Sequence, residues 1–223
     1  MRIVKIKFTE MKEKPILFSA PMVRAILDGS KTMTRRVVKV KDVAEYMGCC
    51  DETWHFKPEH NGKHLFDTKD GEIFSLSPYG QPGDQLWVRE TWAYRLDYSR
   101  IYYRADQNLA AEFNRLDDKW KPSIFMPRKH SRIDLLIKLV RVERLNDIDE
   151  LDATHEGIKS FTKDGVGFKF GLEGWNWSCQ NGHPFMCSNP VLAFSELWES
   201  INGKGSWDAN PYVWVIEFER IKP

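Results

Sequence analysis

The chain has 223 residues, of which 42% are apolar and 29% are charged. This composition is typical of a globular protein with a buried core, and it excludes an intrinsically disordered chain. The 33 basic residues nearly balance the 32 acidic ones, so the net charge is +1 and no global field draws the chain to nucleic acid or to a membrane. We expect one domain over residues 1–223, built on a single core with insertions.

The first segment, MRIVKIKFTE, alternates apolar and charged residues, which predicts a strand rather than a signal peptide or a membrane span. The four cysteines, Cys49, Cys50, Cys179 and Cys187, then fit reduced thiols in a cytoplasmic protein. Cys179, His183 and Cys187 depart from the usual C-x-x-C spacing of zinc sites, and no fourth ligand is evident. We therefore expect no metal site.

A short helix followed by a strand is predicted in the first forty residues. Ser19 is the N-cap, Pro21 lies in the first turn, and Gly29 ends the helix. The next segment, TMTRRVVKV, favours an extended conformation. Lys31 and Thr34 thus lie where the helix ends and the strand begins, either in a solvated basic turn or in a functional pocket.

The segment GDQLWVRETW is predicted to begin with a turn and to continue as a strand, with Glu90 and Trp92 on its apolar face. A carboxylate there is costly unless paired, so Glu90 either lines a pocket or belongs to a buried ion pair. The other face carries Trp87 and Arg89. These two side chains either bind a planar anionic ligand or simply cover the surface.

Two strands and two helices are predicted in the second half of the chain. SRIDLLIKLVRVERL is a long strand that bends near Arg141, and DIDELDATHEGI is a short helix that ends at His155 and Glu156. SNPVLAFSELWESING is a helix capped by Asn189, with Ile201 in its apolar stripe and its aromatic residues in the core. PYVWVIEFERI is the last strand.

Two segments, 41–83 and 159–188, lack clean periodicity and are interpreted as insertions, the first with one hairpin and the second as a lid. The remaining strands are scattered between short helices without a regular βαβ rhythm. This order predicts an α+β fold, a small mixed barrel with peripheral helices.

Several catalytic motifs are absent from the sequence, namely G-x-S-x-G, the P-loop, the dinucleotide-binding G-x-G-x-x-G and H-E-x-x-H. The six histidines are dispersed along the chain. These observations remove the main support for several enzyme classes, and we expect no cofactor.

Four segments together resemble the ASCH domain family, whose fold is a PUA-like β-barrel. They are ILDGSKTMTRR, GDQLWVRETW, LNDIDELDATHEGI and VWVIEFERI, and they occur in the order of the family. MPRKHSRI, before the long strand, resembles longer members that are common in bacteriophages and prophages. The small bacterial members with an assigned activity are amidohydrolases that remove the acetyl group of N4-acetylcytidine.

The resemblance implies a catalytic lysine and threonine in the G-x-K-T-x-T element, which are Lys31 and Thr34 here, and a glutamate for which Glu156 is the closest match. Thr34 would be the nucleophile, Lys31 its base and Glu156 the acid for the leaving nitrogen. An ionised Glu156 beside Lys31 would keep the lysine charged, which opposes this role.

Further residues are candidates for substrate binding. Arg35 and Arg36 are expected to lower the pKa of Lys31 and to face an anion. Trp87 or Trp92 would provide an aromatic wall for a flat pyrimidine, and Arg89 and Glu90 complete the set of binding candidates: Arg35, Arg36, Trp87, Arg89, Glu90 and Trp92.

Three other functions remain open. An RNA-binding module would use KTMTRR and MPRKHSR as phosphate contacts and would bind RNA with a steep salt dependence. A ribonuclease with the same lysine and threonine would release cleaved RNA instead of acetate. A non-enzymatic phage interaction protein is the third alternative. The oligomeric state is left open.

Overall fold

The computed structural model describes residues 11–39, 55–60, 63–68, 71–75, 77–96, 99–114, 119–160, 168–170 and 189–221. Within these ranges the fold is α+β, as predicted, with a five-stranded sheet, three smaller sheets and four α-helices. The strands are Glu13–Leu17 (β1), Met33–Val37 (β2), His55–His60 (β3), Lys63–Thr68 (β4), Gly71–Ser75 (β5), Gln85–Arg89 (β6), Trp92–Arg95 (β7), Arg100–Tyr103 (β8), Asp134–Arg144 (β9), Ile158–Ser160 (β10), Phe168–Phe170 (β11) and Tyr212–Ile221 (β12). The α-helices are Ala20–Leu27 (α1), Gln107–Asn114 (α2), Glu150–His155 (α3) and Pro190–Asn202 (α4). Single turns of 3-10 helix are formed by Ser123–Phe125, Arg128–His130 and Leu145–Asp147.

Several predictions fall on residues outside these ranges: the N-terminal strand, the four cysteines with His183, and most of the lid. In the first insertion, β3, β4 and β5 form a three-stranded antiparallel sheet, where one hairpin was predicted. None of the helices in the described ranges has the length and apolar character that crossing a membrane requires.

The five-stranded sheet has the order β1-β6-β9-β12-β2. β1 and β6 are parallel, and the other neighbours are antiparallel. Among the described strands no backbone pairing joins the two edges, β1 and β2. A side chain links them instead, because Arg36 Nη2 donates to the carbonyl oxygen of Leu17 at 2.7 Å.

An irregularity in β9 shifts the buried positions from odd-numbered to even-numbered residues while the same face of the strand packs on the core. Its pairing with β12 skips Lys138, since Phe218 is opposite Ile137 and Glu217 is opposite Leu139. The sequence had placed this bend near Arg141, so the prediction was wrong by three residues. The side chains buried before and after the skipped residue are Leu135, Ile137, Val140 and Val142. Arg141 therefore points to the opposite face of the strand from Val140 and Val142.

The helices begin and end close to the predicted residues. The Asn189 side chain caps α4 by accepting from Val191 N at 2.6 Å, and Gly203 follows its last turn with a φ of +98°. Ser19 is at the N-cap of α1, although its side chain makes no capping bond. Ile201 was predicted in the buried stripe of α4 but is 53% exposed. The main core packs α1 and α4 against the five-stranded sheet.

A tight turn before β6 rests against β9 and requires glycine at one position. A Cβ at Gly80, where φ is +115°, would lie 2.9 Å from Asp84 Oδ2 and 3.1 Å from Ile137 Cδ1. That Asp84 carboxylate is held in place by the backbone N–H groups of Gln81 and Lys12, both at 3.0 Å.

We expect Gly80→Ala to destabilise the protein more than Gly83→Ala. Gly83 also has a positive φ, +93°, but its Cβ would meet open space, so only the backbone penalty of about 1–2 kcal/mol applies there. Urea unfolding of both variants measures the difference. Equal losses of stability would show that the contacts at Gly80 relax without cost.

Candidate active site

Two chain corners bring Lys31 and Glu156 together. After α1, the backbone N–H of Lys31 donates to Ala25 O at 2.9 Å, and that of Thr32 donates to His155 O at 2.9 Å. Glu156 is the C-cap residue of α3. Lys31 and Glu156 consequently pair as an isolated antiparallel bridge, although 125 residues separate them in the sequence.

The two side chains form a buried pair. Lys31 Nζ donates to Glu156 Oε2 at 2.6 Å and to the backbone oxygen of Glu156 at 2.9 Å. The exposed fraction of the side chain is 0% for Lys31 and 4% for Glu156. Burial lowers the pKa of Lys31, Glu156 raises it, and Arg36 and Arg35 lower it, with a net result below the ordinary lysine value. The amine therefore loses its proton more readily than a lysine in water.

Arg35 lies beside this pair and contacts three carboxylates. Its Nη2 is 2.5 Å from Glu143 Oε1 and 2.5 Å from Asp152 Oδ2, and its Nη1 is 3.4 Å from Glu156 Oε1. Burial lowers the pKa of Arg35, but these carboxylates outweigh it and the net pKa is raised. Arg35 was predicted to face a substrate anion, but the carboxylates of the protein already occupy its guanidinium group.

Arg141 extends the same cluster. It contacts Asp152 Oδ2 at 2.7 Å, Glu143 Oε2 at 3.0 Å and the Glu217 carboxylate. We call Arg35, Arg141, Glu143, Asp152 and Glu217 the carboxylate network. Since Asp152 is one turn before Glu156 on α3, the network fixes this helix on the sheet and holds Glu156 in place.

A pocket of about 200 Å³ opens between β2 and α4. Its described lining residues are Met22, Thr34, Arg35, Arg36, Val37, Lys39, Tyr79, Glu156, Phe194, Leu197, Trp198, Ile201 and Asn202. Thr34 and Glu156, two of the three predicted catalytic residues, thus line one pocket, and the third, Lys31, is bonded to Glu156. Pockets for drug-sized ligands span about 300–1,000 Å³, so this pocket fits a group the size of one base.

The free edge of β2 contributes backbone groups to the pocket. Phe218 N donates to Thr32 O, and Val38 N donates to Tyr212 O. Even-numbered residues of β2 therefore bond to β12, and the N–H and C=O groups of Arg35 and Val37 point to the free edge. Both residues line the pocket, and no described residue bonds to these backbone groups, so a ligand in the pocket can reach them.

Four other predicted binding residues do not line this pocket: Trp87, Arg89, Glu90 and Trp92. The Arg89 guanidinium lies 5.4 Å from the centre of the Trp87 ring and donates to the carbonyl oxygens of Met126 and Ile124. Trp92 is buried and packs on the ring of His130, with 4.8 Å between the ring centres.

Glu90 forms the buried ion pair that was one of its two predicted alternatives. Arg132 Nε and Nη2 donate to its two carboxylate oxygens at 2.8 and 3.1 Å. Burial raises the pKa of Glu90, and Arg132 partly offsets this. Arg132 also contacts Asp106 and lies over the ring of Tyr103, which makes this cluster a structural support beside β6.

Neither the pocket wall nor the carboxylate network was predicted from the sequence. The α4 aromatics were predicted as core; Phe194 and Trp198 are buried, and they also form the wall. One signal for the network was present, since Arg141 and Glu143 alternate on one face of a strand. Their partners come from distant segments, which no local pattern identifies.

Within the described ranges, no group of three His, Cys, Asp or Glu side chains is arranged to hold a metal ion. Comparisons of the chain with protein-family models, with curated proteins and with solved structures find no match. A function therefore has to be inferred from the geometry of the site and from the resemblance of the sequence motifs.

A double-mutant cycle measures how strongly the buried pair is coupled. We expect Lys31→Met and Glu156→Leu each to cost about 3–5 kcal/mol of stability, because each leaves the partner buried and unpaired. The double variant should be more stable than the sum of the two losses predicts. Urea unfolding of the four proteins provides the coupling free energy.

The exposed pair Lys138–Glu219 is a matched control, since its side chains are 54% and 69% exposed and 3.3 Å apart. Its coupling should be about 0–1 kcal/mol. A buried pair that couples no more strongly than this exposed pair would contradict the assignment.

Proposed function

We propose that the protein is a metal-independent amidohydrolase that removes the acyl group from N4-acylated cytosine nucleosides such as N4-acetylcytidine. One observation carries the proposal: a buried Lys31–Glu156 pair adjoins a pocket of the size of one base, and Thr34 lines that pocket. These three residues are the ones that the resemblance to the ASCH domain family assigns to catalysis.

The same resemblance carries our proposal that the central sheet is a PUA-like barrel. The Arg36 contact to Leu17, which links the two edge strands, supports a sheet curved towards closure. The pocket would then lie at the seam between the edges, and α4 would cover it.

The two charge states of the pair explain how a lysine next to a glutamate serves as a base. An ammonium beside a carboxylate and an amine beside a carboxylic acid contain the same number of protons. The proton moves between them along the 2.6 Å contact of Nζ with Oε2. Burial lowers the pKa of Lys31, and transfer of its proton to Glu156 would form the neutral pair without proton exchange with solvent.

Acylation begins from the neutral pair. Thr34 Oγ1 attacks the acyl carbon, and Lys31 Nζ takes the hydroxyl proton. The Glu156 carboxylic acid gives its proton to N4 as the bond between carbon and nitrogen breaks. The products of this step are cytidine, an acyl-threonine, a lysine ammonium and a glutamate carboxylate.

Deacylation returns both protons. The Glu156 carboxylate takes a proton from water, which attacks the acyl-threonine, and the Lys31 ammonium gives its proton to Oγ1 as the ester bond breaks. The pair is again neutral and the acid product leaves. The backbone N–H groups at the free edge of β2 are candidates for stabilising the oxyanion in both steps.

We expect Lys31→Met and Thr34→Val to lower kcat for N4-acetylcytidine by at least about 10²-fold, because each removes a group that acts in the transition state. Chromatography of the released cytidine, with acetate measured in parallel, tests this. Thr34→Ser is the matched control, since it keeps the hydroxyl and should retain measurable turnover.

Full turnover by folded Thr34→Val would overturn the nucleophile assignment. Release of RNA fragments, with no cytidine from the acylated nucleoside, would replace the proposal with a ribonuclease that uses the same pocket. Thermal unfolding of each variant verifies that the protein is folded.

The pH profile of kcat/KM should be bell-shaped, because the pair acts only while it holds one proton. Acid adds a second proton and removes the base; alkali removes the single proton and the acid. Since the pKa of Lys31 is lowered, the basic limb should lie below the ordinary lysine value of 10.5. A rate that stays constant up to that pH in the folded protein would contradict the shared-proton mechanism.

A further inference from the structure

Arg36 lines the pocket, and its guanidinium group has no carboxylate partner among the described residues. Its single hydrogen bond there joins Nη2 to the neutral carbonyl oxygen of Leu17 at 2.7 Å. The guanidinium group lies 5.3 Å from the centre of the Phe18 ring. Most of its N–H donors are thus not used by described protein groups.

The adjacent arginine has the opposite environment. Arg35 contacts Glu143, Asp152 and Glu156, so its charge is compensated within the protein. One strand thus places side by side an arginine that is bonded to carboxylates and an arginine that forms no salt bridge with a described residue. The carboxylate network neutralises the charge of Arg35 but does not contact Arg36.

The charges of the residues that line the pocket also favour an anionic ligand. Its described lining residues include three cations, Arg35, Arg36 and Lys39, and a single carboxylate, Glu156. This carboxylate is already bonded to Lys31 and contacts Arg35. Arg36 therefore gives the pocket a positive wall, which suits an anionic ligand group.

The burial of Arg36 has an energetic cost. Burial lowers the pKa of Arg36 from its ordinary value, and Tyr79 and Glu156, which form no salt bridge with it, offset this only in part. A ligand anion would remove this cost on binding. An arginine fork also fits the two oxygens of a phosphate group better than a lysine does.

We infer that the pocket recognises a nucleotide, with the phosphate of the ligand paired to Arg36 and the acylated base directed towards Thr34. The inference rests on the proposed function, which places a cytosine base in the pocket. A volume of about 200 Å³ accommodates the base and leaves the phosphate near the rim, where Lys39 is exposed.

Three substrates test the inference: N4-acetylcytidine, its 5′-monophosphate and a short RNA with one acetylated cytidine. Each is assayed with the wild-type protein, with Arg36→Gln and with Lys204→Gln. Lys204 is an exposed cation outside both basic segments and does not line the pocket, so its substitution controls for loss of charge alone.

With the wild-type protein, kcat/KM for the monophosphate should exceed that for the nucleoside by about tenfold or more, mainly through KM. Arg36→Gln should bring this ratio close to one, whereas Lys204→Gln should retain it. A higher value for the RNA than for the monophosphate would identify the polymer as the source of the phosphate.

Equal kcat/KM values for nucleoside and monophosphate would overturn the inference and leave the proposed function intact, as would a preference that survives in Arg36→Gln. If no substrate is deacylated, the proposed function fails, and calorimetric binding of cytidine and cytidine 5′-monophosphate tests the anion site alone. A preference for the monophosphate that disappears in Arg36→Gln would support the site, and the lack of any preference would overturn it.

Discussion

The enclosure of one lysine amine beside one carboxylate is the constraint on which the rest of the structure depends. Lys31 and Glu156 have almost no contact with solvent, so neither charge is stabilised by water. Charges in this position require a partner at hydrogen-bond distance and a rigid surrounding structure. The helix ends, the strand register and the contact of Arg35 with Glu156 all contribute to that rigidity.

Neighbouring residues of β2 differ in what their side chains contact. Arg35 belongs to the carboxylate network, which ties α3 to the sheet and so determines where Glu156 lies. Thr34 and Arg36 line the pocket that α4 covers. One strand can supply residues to both the carboxylate network and the pocket, because its side chains alternate between faces and because its outer edge is not paired with another described strand.

Local patterns predicted much of this arrangement. The caps at Asn189 and Gly203 define α4, and the threonines and valines after Gly29 define β2, since each signal acts within a few residues. The α+β class followed from the order of these elements. The motif GSKTMT, interpreted through a family resemblance, selected Thr34, which lines the pocket, and Lys31, which is bonded to Glu156 beside it.

The features that the sequence did not predict depend on contacts between residues far apart in the chain. The irregularity in β9 arises opposite β12, and the partners of Arg35 come from β9 and α3, which periodicity cannot identify. Glu90 was ambiguous for the same reason, because its alternatives differ only in whether Arg132 reaches it. Trp87 and Arg89 matched the pattern of a ligand site, yet they stack on each other outside the pocket.

The 125-residue separation of Lys31 and Glu156 has a consequence for the order of assembly. Closing so long a loop is entropically costly until other contacts have shortened it, so this pair should form late, after β12 has paired with both β2 and β9. Until then the amine is hydrated and behaves as an ordinary surface lysine. The chemical character of Lys31 is thus acquired only on completion of the fold, and partly folded chains lack the site altogether.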